Sequence, residues 1–126
     1  MNIAVLCSGS GTNLQAIIDA VASGKIRARI ALVVSDKPEA FALERAMKAG
    51  IDTLVIRAND FRDREGFDRE VVRNLRSRGV ELVVLAGFMR LLSPYFIMEY
   101  RGRIMNIHPA LLPSFKGTHC IRDALR

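Results

Sequence analysis

Asn2-Ile3-Ala4-Val5-Leu6-Cys7-Ser8-Gly9-Ser10-Gly11-Thr12-Asn13-Leu14 opens the chain and decides its architecture. Asn2–Cys7 is a short apolar run of the kind found in a strand buried on both faces. A Ser/Gly loop follows, and then Leu14, Ile17, Ile18 and Val21 recur at helical spacing, with Gly24 as a C-terminal stop. A buried strand passing through a glycine-rich turn into an amphipathic helix is the first half of a strand–helix–strand unit.

The same alternation continues along the chain. Ile30–Val34 is a β-branched run and predicts a second strand. Pro38 to Ala49 reads as a helix ended by Gly50, and Thr53–Ile56 as a third strand. Asp63–Arg78 carries Phe67, Val71 and Leu75 on one face and charges on the others, with Gly79 behind it. Leu82–Leu85 predicts a fourth strand. Ser93-Pro94 is an N-cap followed by proline in the first turn, opening a helix that stops near Gly102. Ile104–Ile107 predicts a fifth strand. Strands buried on both faces and joined by helices imply an α/β fold with a doubly wound, mainly parallel sheet. No repeat, linker or low-complexity segment interrupts the pattern. Ile121, Ala124 and Leu125 begin one more helical stripe that has no capping residue before Arg126, so a single domain cut short at its C-terminal end is expected.

Composition narrows the class. Half of the 126 residues are apolar, which suits a folded domain with its own core. The net charge is +6, from 19 basic and 13 acidic residues, yet no basic block marks a nucleic-acid tail. The charge therefore suits small anionic ligands or a solvated surface. The two cysteines, Cys7 and Cys120, form no C-x-x-C pair and are too few for a disulfide framework. With no signal-peptide pattern and no apolar stretch of membrane-spanning length, a reduced, cytoplasmic protein without a membrane partner is expected.

In an open parallel sheet, ligands bind beyond the carboxyl ends of the strands, near the point where strand order reverses. The loops to inspect are Ser8–Asn13, Ala86–Arg90 and Asn106–Pro109. In the first, glycines permit a tight turn and the start of the helix offers free N–H groups to an anion. The dinucleotide fingerprint G-x-G-x-x-G fails because position 14 is Leu14, and no Gly-Lys-Ser/Thr of a P-loop is present. Asp36 does follow the second strand, where a ribose-binding acid sits in dinucleotide enzymes. An ordinary strand-to-helix turn remains the alternative. In the third loop, Asn106 and His108 stand two residues apart at a strand end, so an extended backbone puts both on one face. An amide donor for an oxyanion beside a group able to move a proton near neutral pH suits acyl transfer through a tetrahedral intermediate. The alternative is an Asn and a His that satisfy local backbone groups. Pro109 stiffens the exit from the strand. His119 and His108, without clustered carboxylates, make no zinc site, and no metal is expected. Cys7 has no neighbouring base and reads as a buried thiol.

Three segments taken together resemble a known family. Ala4–Ile17, Val83–Arg90 (Val-Val-Leu-Ala-Gly-Phe-Met-Arg) and Asn106–Gly117 (Asn-Ile-His-Pro-Ala-Leu-Leu-Pro-Ser-Phe-Lys-Gly) resemble, in order, signatures of the glycinamide ribonucleotide formyltransferases. The wider formyltetrahydrofolate-dependent family, which includes methionyl-tRNA formyltransferase and formyltetrahydrofolate hydrolase, shares Asn-x-His followed by Leu-Leu-Pro. The Ser-Gly-x-Gly-Thr-Asn loop and Pro109 are closer to the glycinamide ribonucleotide branch.

The resemblance implies a Rossmann-like formyltransferase fold, with residues 1–126 as one catalytic domain. It implies a reaction of purine biosynthesis in which N10-formyltetrahydrofolate, a co-substrate, gives its formyl group to the amine of glycinamide ribonucleotide. By similarity, Asn106 stabilises the oxyanion and His108 assists by proton transfer or charge stabilisation. Gly11, Thr12 and Asn13 hold the substrate phosphate, and Gly87 and Pro109 line its aminoacyl part. Phe88, Met89, Arg90 and Leu92 form the folate wall, and Arg64 faces the glutamate tail. The partners are then these small molecules rather than nucleic acid, and a homodimer is compatible with the resemblance. The family also uses a downstream Asp that no residue here matches, so an incomplete or inactive fragment is one alternative reading. A hydrolase releasing formate is another, although such enzymes often carry an N-terminal regulatory domain. A tRNA formyltransferase would be expected to carry an appended nucleic-acid-binding domain. These 126 residues contain neither.

Overall fold

A computed structural model of the chain describes residues 1–107. Five strands, β1 (Asn2–Cys7), β2 (Arg29–Ser35), β3 (Thr53–Val55), β4 (Leu82–Leu85) and β5 (Ile104–Asn106), form one sheet in the order β3-β2-β1-β4-β5. All four pairings are parallel. Among the described residues the sheet is thus wholly parallel, where the sequence pointed to a mainly parallel one.

The helices are α1 (Thr12–Ala22), α2 (Phe41–Lys48), α3 (Arg64–Ser77) and α4 (Pro94–Glu99). The side-chain period of two along each strand sorts the core into two clusters, one per sheet face. Ile3, Val5 and Cys7 of β1 pack with Leu14 and Ile17 of α1 and with Ala42 and Ala46 of α2. Ala4 and Leu6 face the other way, toward Phe67, Val71, Val72 and Leu75 of α3 and Phe96 and Tyr100 at α4. The result is a three-layer α/β/α sandwich. The chain winds outward from β1 to β3 on one side, then returns to place β4 and β5 on the other. Strand order therefore reverses between β1 and β4.

Among the described residues the expected elements are all present, with local differences in extent; the helical stripe expected at Ile121, Ala124 and Leu125 lies outside them. The second helix begins at Phe41 rather than Pro38. Backbone at 35–40 is engaged in turns instead: Lys37 N–H donates to Ser35 Oγ at 3.1 Å and Ala40 N–H to Lys37 O at 3.2 Å. Strands β3 and β5 each end one residue early, although Ile56 N–H still reaches Ser35 O and Ile107 N–H still reaches Leu85 O, both at 3.0 Å. A 3-10 turn at Ala58–Asp60, which the periodicity did not predict, leads into α3. Ser93 caps α4 as its sequence suggests, accepting from Phe96 N–H at 3.3 Å, and Asp63 caps α3 by accepting from Gly66 N–H at 2.8 Å.

Tyr100 closes the α3/α4 side. Its ring is 1% exposed and its hydroxyl donates to Val80 O at 3.1 Å. Removing the hydroxyl leaves that buried carbonyl without its donor. Tyr100→Phe should therefore lower unfolding stability by about 1–2 kcal/mol, read as a fall in urea midpoint with an unchanged m-value.

Candidate active site at the carboxyl ends of β1, β4 and β5

The loops leaving β1 and β4 meet at the reversal point and are tied to each other. Ser8 N–H donates to Gly87 O at 3.3 Å, and Ser8 Oγ accepts from Met89 N–H at 2.9 Å. Ser8 is 4% exposed, so its hydroxyl serves the loop–loop junction rather than solvent. Gly87 takes a left-handed φ of 72° at the turn out of β4.

The first loop ends at Gly11, the N-cap residue of α1, with φ 79°. Having no side chain, Gly11 cannot cap the helix as Asp63 and Ser93 cap α3 and α4, and the first-turn N–H groups of α1 have no side-chain cap. Together with the helix dipole this makes a concavity suited to an anion. The glycine also has a structural reason that the sequence did not show. A Cβ on Gly11 would lie 2.6 Å from Ala42 Cα and 2.7 Å from Ala42 Cβ, so the missing side chain lets α2 approach the loop. Helix α2 holds the loop in turn: Ala42 N–H donates to Gly9 O at 3.1 Å and Arg45 Nε to Ser10 O at 2.8 Å. Thr12 is exposed and Asn13 half-buried beside this turn.

Residues 86–92, between β4 and α4, have neither helix nor strand. Phe88 and Leu92 pack on the α3/α4 core cluster, whereas Met89 and Leu91 are 77% and 73% exposed. The Arg90 guanidinium lies over the Phe67 ring, 4.7 Å from its centroid. Arg64, the first residue of α3, is exposed one helical turn before Phe67. Phe88, Arg90 and Leu92 of the segment thus lie on the α3 side of the sheet, with Arg64 at the start of α3. Asn106 ends β5 in register with Leu85, is solvent-exposed, and by strand alternation shares the face of Ile104, which packs in that same cluster. Its amide is accordingly on the side of Phe88 and Leu92. His108 and Pro109 lie outside the described residues, as do His119 and Cys120.

Two groups that the sequence reading passed over organise this end of the sheet. One is Ser8. The other is Asp68, which falls within the helix read as charged outside its apolar stripe but is only 2% exposed. Its carboxylate accepts from Ser93 N–H at 2.7 Å. Burial pushes the Asp68 carboxyl above its ordinary range, against the opposing pull of the Ser93 hydrogen bonds and the nearby Arg90 and Arg64 charges. A signal was available: Asp68 follows Phe67 and precedes Val71 by three, which places it on the buried stripe.

Cys7 is buried at the end of β1, and burial, reinforced by the Asp36 charge, pushes its thiol up to about 12. Asp36 borders an open polar pocket of about 390 Å³ with Lys37, Arg57 and Arg90, beyond the ends of β2 and β3. Among the described residues no group of His, Cys, Asp and Glu could hold a metal ion, and no helix is long and apolar enough to cross a membrane.

A wholly parallel, doubly wound sheet with an uncapped helix start at its reversal point and an exposed amide at the end of the adjoining strand β5 belongs to the class of open α/β domains, whose ligands bind beyond the carboxyl ends of the strands. Comparison with known proteins gives the family. A family profile described as "Formyl transferase" matches residues 1–126, and the chain belongs to that family. It is 52% identical over 125 residues to phosphoribosylglycinamide formyltransferase of Escherichia coli K12, covering 99% of this chain and 59% of the relative. It is 51% identical to the trifunctional purine biosynthetic protein adenosine-3 of Drosophila melanogaster, over 98% of this chain and 9% of that protein. The crystal structure of glycinamide ribonucleotide transformylase 1 from Symbiobacterium toebii superposes with a TM-score of 0.84 at 46% identity, covering 99% of this chain and 59% of that one. Its counterpart from Geobacillus kaustophilus gives 0.82 at 43% identity, with 98% and 65% covered. The chain thus spans about 59% of the length of the Escherichia coli relative.

Two outcomes follow from the geometry. Gly11→Ala should destabilise the fold by on the order of 2 kcal/mol or more, through left-handed strain and the clash with Ala42; a urea midpoint equal to wild type would refute the packing role. Iodoacetamide at about pH 8 should leave Cys7 unmodified in the native protein and alkylate it after denaturation, because the thiolate is the nucleophile; peptide mass spectrometry reads the difference.

Proposed function

We propose that the complete protein transfers the formyl group of N10-formyltetrahydrofolate to the amine of glycinamide ribonucleotide, as a cytoplasmic enzyme of purine biosynthesis acting on small molecules. In this reading residues 1–126 belong to a single catalytic domain. The observation that carries the reading is the position of Asn106, an exposed amide at the end of β5, level with Leu85 and on the side where Phe88, Arg90 and Leu92 gather.

The chemistry needs few parts. The substrate amine attacks the formyl carbon, whose oxygen becomes an oxyanion. The Asn106 side-chain N–H donates to that oxyanion, which is where a fixed donor has its greatest effect on rate. Collapse re-forms the carbonyl and breaks the bond to N10. The proton lost by the attacking amine is delivered to N10, with His108 as the group that assists. The uncapped first turn of α1 at Gly11, Thr12 and Asn13 receives the ribonucleotide phosphate, and Gly87 and Pro109 border its aminoacyl arm. Phe88, Met89, Arg90 and Leu92 hold the folate, with Arg64 toward its glutamate. Water in place of the amine would make the same site a formate-releasing hydrolase. The uncapped helix start favours a phosphate-bearing acceptor over water.

In the complete enzyme Asn106→Ala should lower kcat by about 100-fold or more while changing either KM much less. The assay follows formylated ribonucleotide and free formate together. Near wild-type turnover by Asn106→Ala removes Asn106 as the oxyanion donor, and formate as the sole product rejects the transferase reading.

A further inference from the structure

The proposed folate wall is built on a stretch that cannot hold itself. Residues 86–92 form no helix or strand, and two exposed apolar side chains, Met89 and Leu91, gain nothing from packing where they stand. The segment is held from outside. At its start, Ser8 bonds Gly87 and Met89. At its end, the backbone N–H of Ser93 donates to Asp68 at 2.7 Å. Between them, Arg90 rests on Phe67.

Phe67 and Asp68 lie three and four residues after Arg64, so α3 presents Arg64, Phe67 and Asp68 on one face. Asp68 is 2% exposed, and an unpaired buried carboxylate is among the costliest groups a core can contain. An apolar residue there would cost less, so a carboxylate at this position needs a reason beyond filling space. It meets two. It accepts a charge-assisted bond from the N-cap residue of α4, and its charge faces Arg64 of its own helix and Arg90 of the adjoining segment.

We propose that Asp68 is a positioning residue for the formyl donor: its buried carboxylate pins the 86–92 segment at Ser93, and through the segment holds Arg90 against Phe67, in place for the folate. It touches no substrate. The proposal rests on the function proposed above and adds a residue that acts only on the folate half of the site. Thr12 and Asn13 follow β1, Asn106 ends β5, and Gly87, at the far end of the segment from Ser93, is tied to Ser8, so the ribonucleotide half and the oxyanion donor keep supports of their own.

The test compares Asp68→Ala and Asp68→Asn with wild type in the complete enzyme, varying each substrate in turn. Asp68→Ala removes both the bond and the charge and should raise KM for N10-formyltetrahydrofolate about tenfold, with KM for glycinamide ribonucleotide and kcat within about twofold of wild type. Asp68→Asn keeps an oxygen to accept from Ser93 N–H but loses the charge, so its folate KM should be intermediate. A merely structural role would move both KM values together, or neither, and either result overturns the proposal. If Asp68→Ala does not fold, Asp68→Asn decides: a wild-type folate KM overturns the proposal, and a selective rise supports it. Failure of the underlying function shows separately, as a wild-type enzyme that forms no formylated ribonucleotide.

Discussion

Strand β1 is the constraint on which the rest of the structure depends. It is hydrogen-bonded to β2 on one edge and β4 on the other, and Ile3–Cys7 are at most 1% exposed. A strand with both edges paired and both faces covered lies inside a sheet, and β1, with β2 and β3 on one side and β4 and β5 on the other, is its middle strand among the described residues. Once β1 is central and β2 takes one edge, β4 must take the other, and the chain reverses its winding. The loops after β1 and β4 meet at that reversal, the place where open parallel sheets bind ligands, and Ser8 ties one to the other. The site is therefore a product of strand order before it is a product of any particular side chain.

Much of this was legible in the residues. Among the described residues, binary patterning located every strand and α-helix because buried parallel strands read as continuous apolar runs and the α-helices as 3.6-residue stripes. Ser93-Pro94 announced its own helix start. Less legible was what depends on tertiary neighbours. Pro38-Glu39 has helical composition, yet Ser35 and Lys37 engage the local backbone in a turn and push the helix start to Phe41. The strand ends at Ile56 and Ile107 differ by one residue, within the usual fraying of such boundaries.

The candidate site stands out in the sequence for a different reason. Asn106, Gly11 and Gly87 occupy strand ends and turns, where residue type is dictated by local geometry and chemistry rather than by the core. Ser8 escaped notice because nothing local explains it, and Asp68 because its charge masks its place on the buried stripe of α3. Ser8 finds its partners about eighty residues away in sequence, at Gly87 and Met89. Asp68 looks like one more charge on a charged helix, which includes the Glu65–Arg69 and Glu70–Arg73 pairs at its surface. Those pairs are solvated and contribute little. The informative carboxylate is the one that water does not reach.

The meeting of Gly11 with Ala42 has a consequence for energetics. The backbone of the first loop is bonded to α2 at Gly9 and Ser10 and lies against it at Gly11, so the helix braces the loop along its length. A flexible glycine loop would lose conformational freedom each time it closed on a ligand, and that loss would weaken every binding event. Here the ordering is completed when the protein folds. In the proposed function a phosphate at α1 would meet N–H groups already aimed, and the entropy of arranging them falls on the stability of the domain rather than on the affinity of the site.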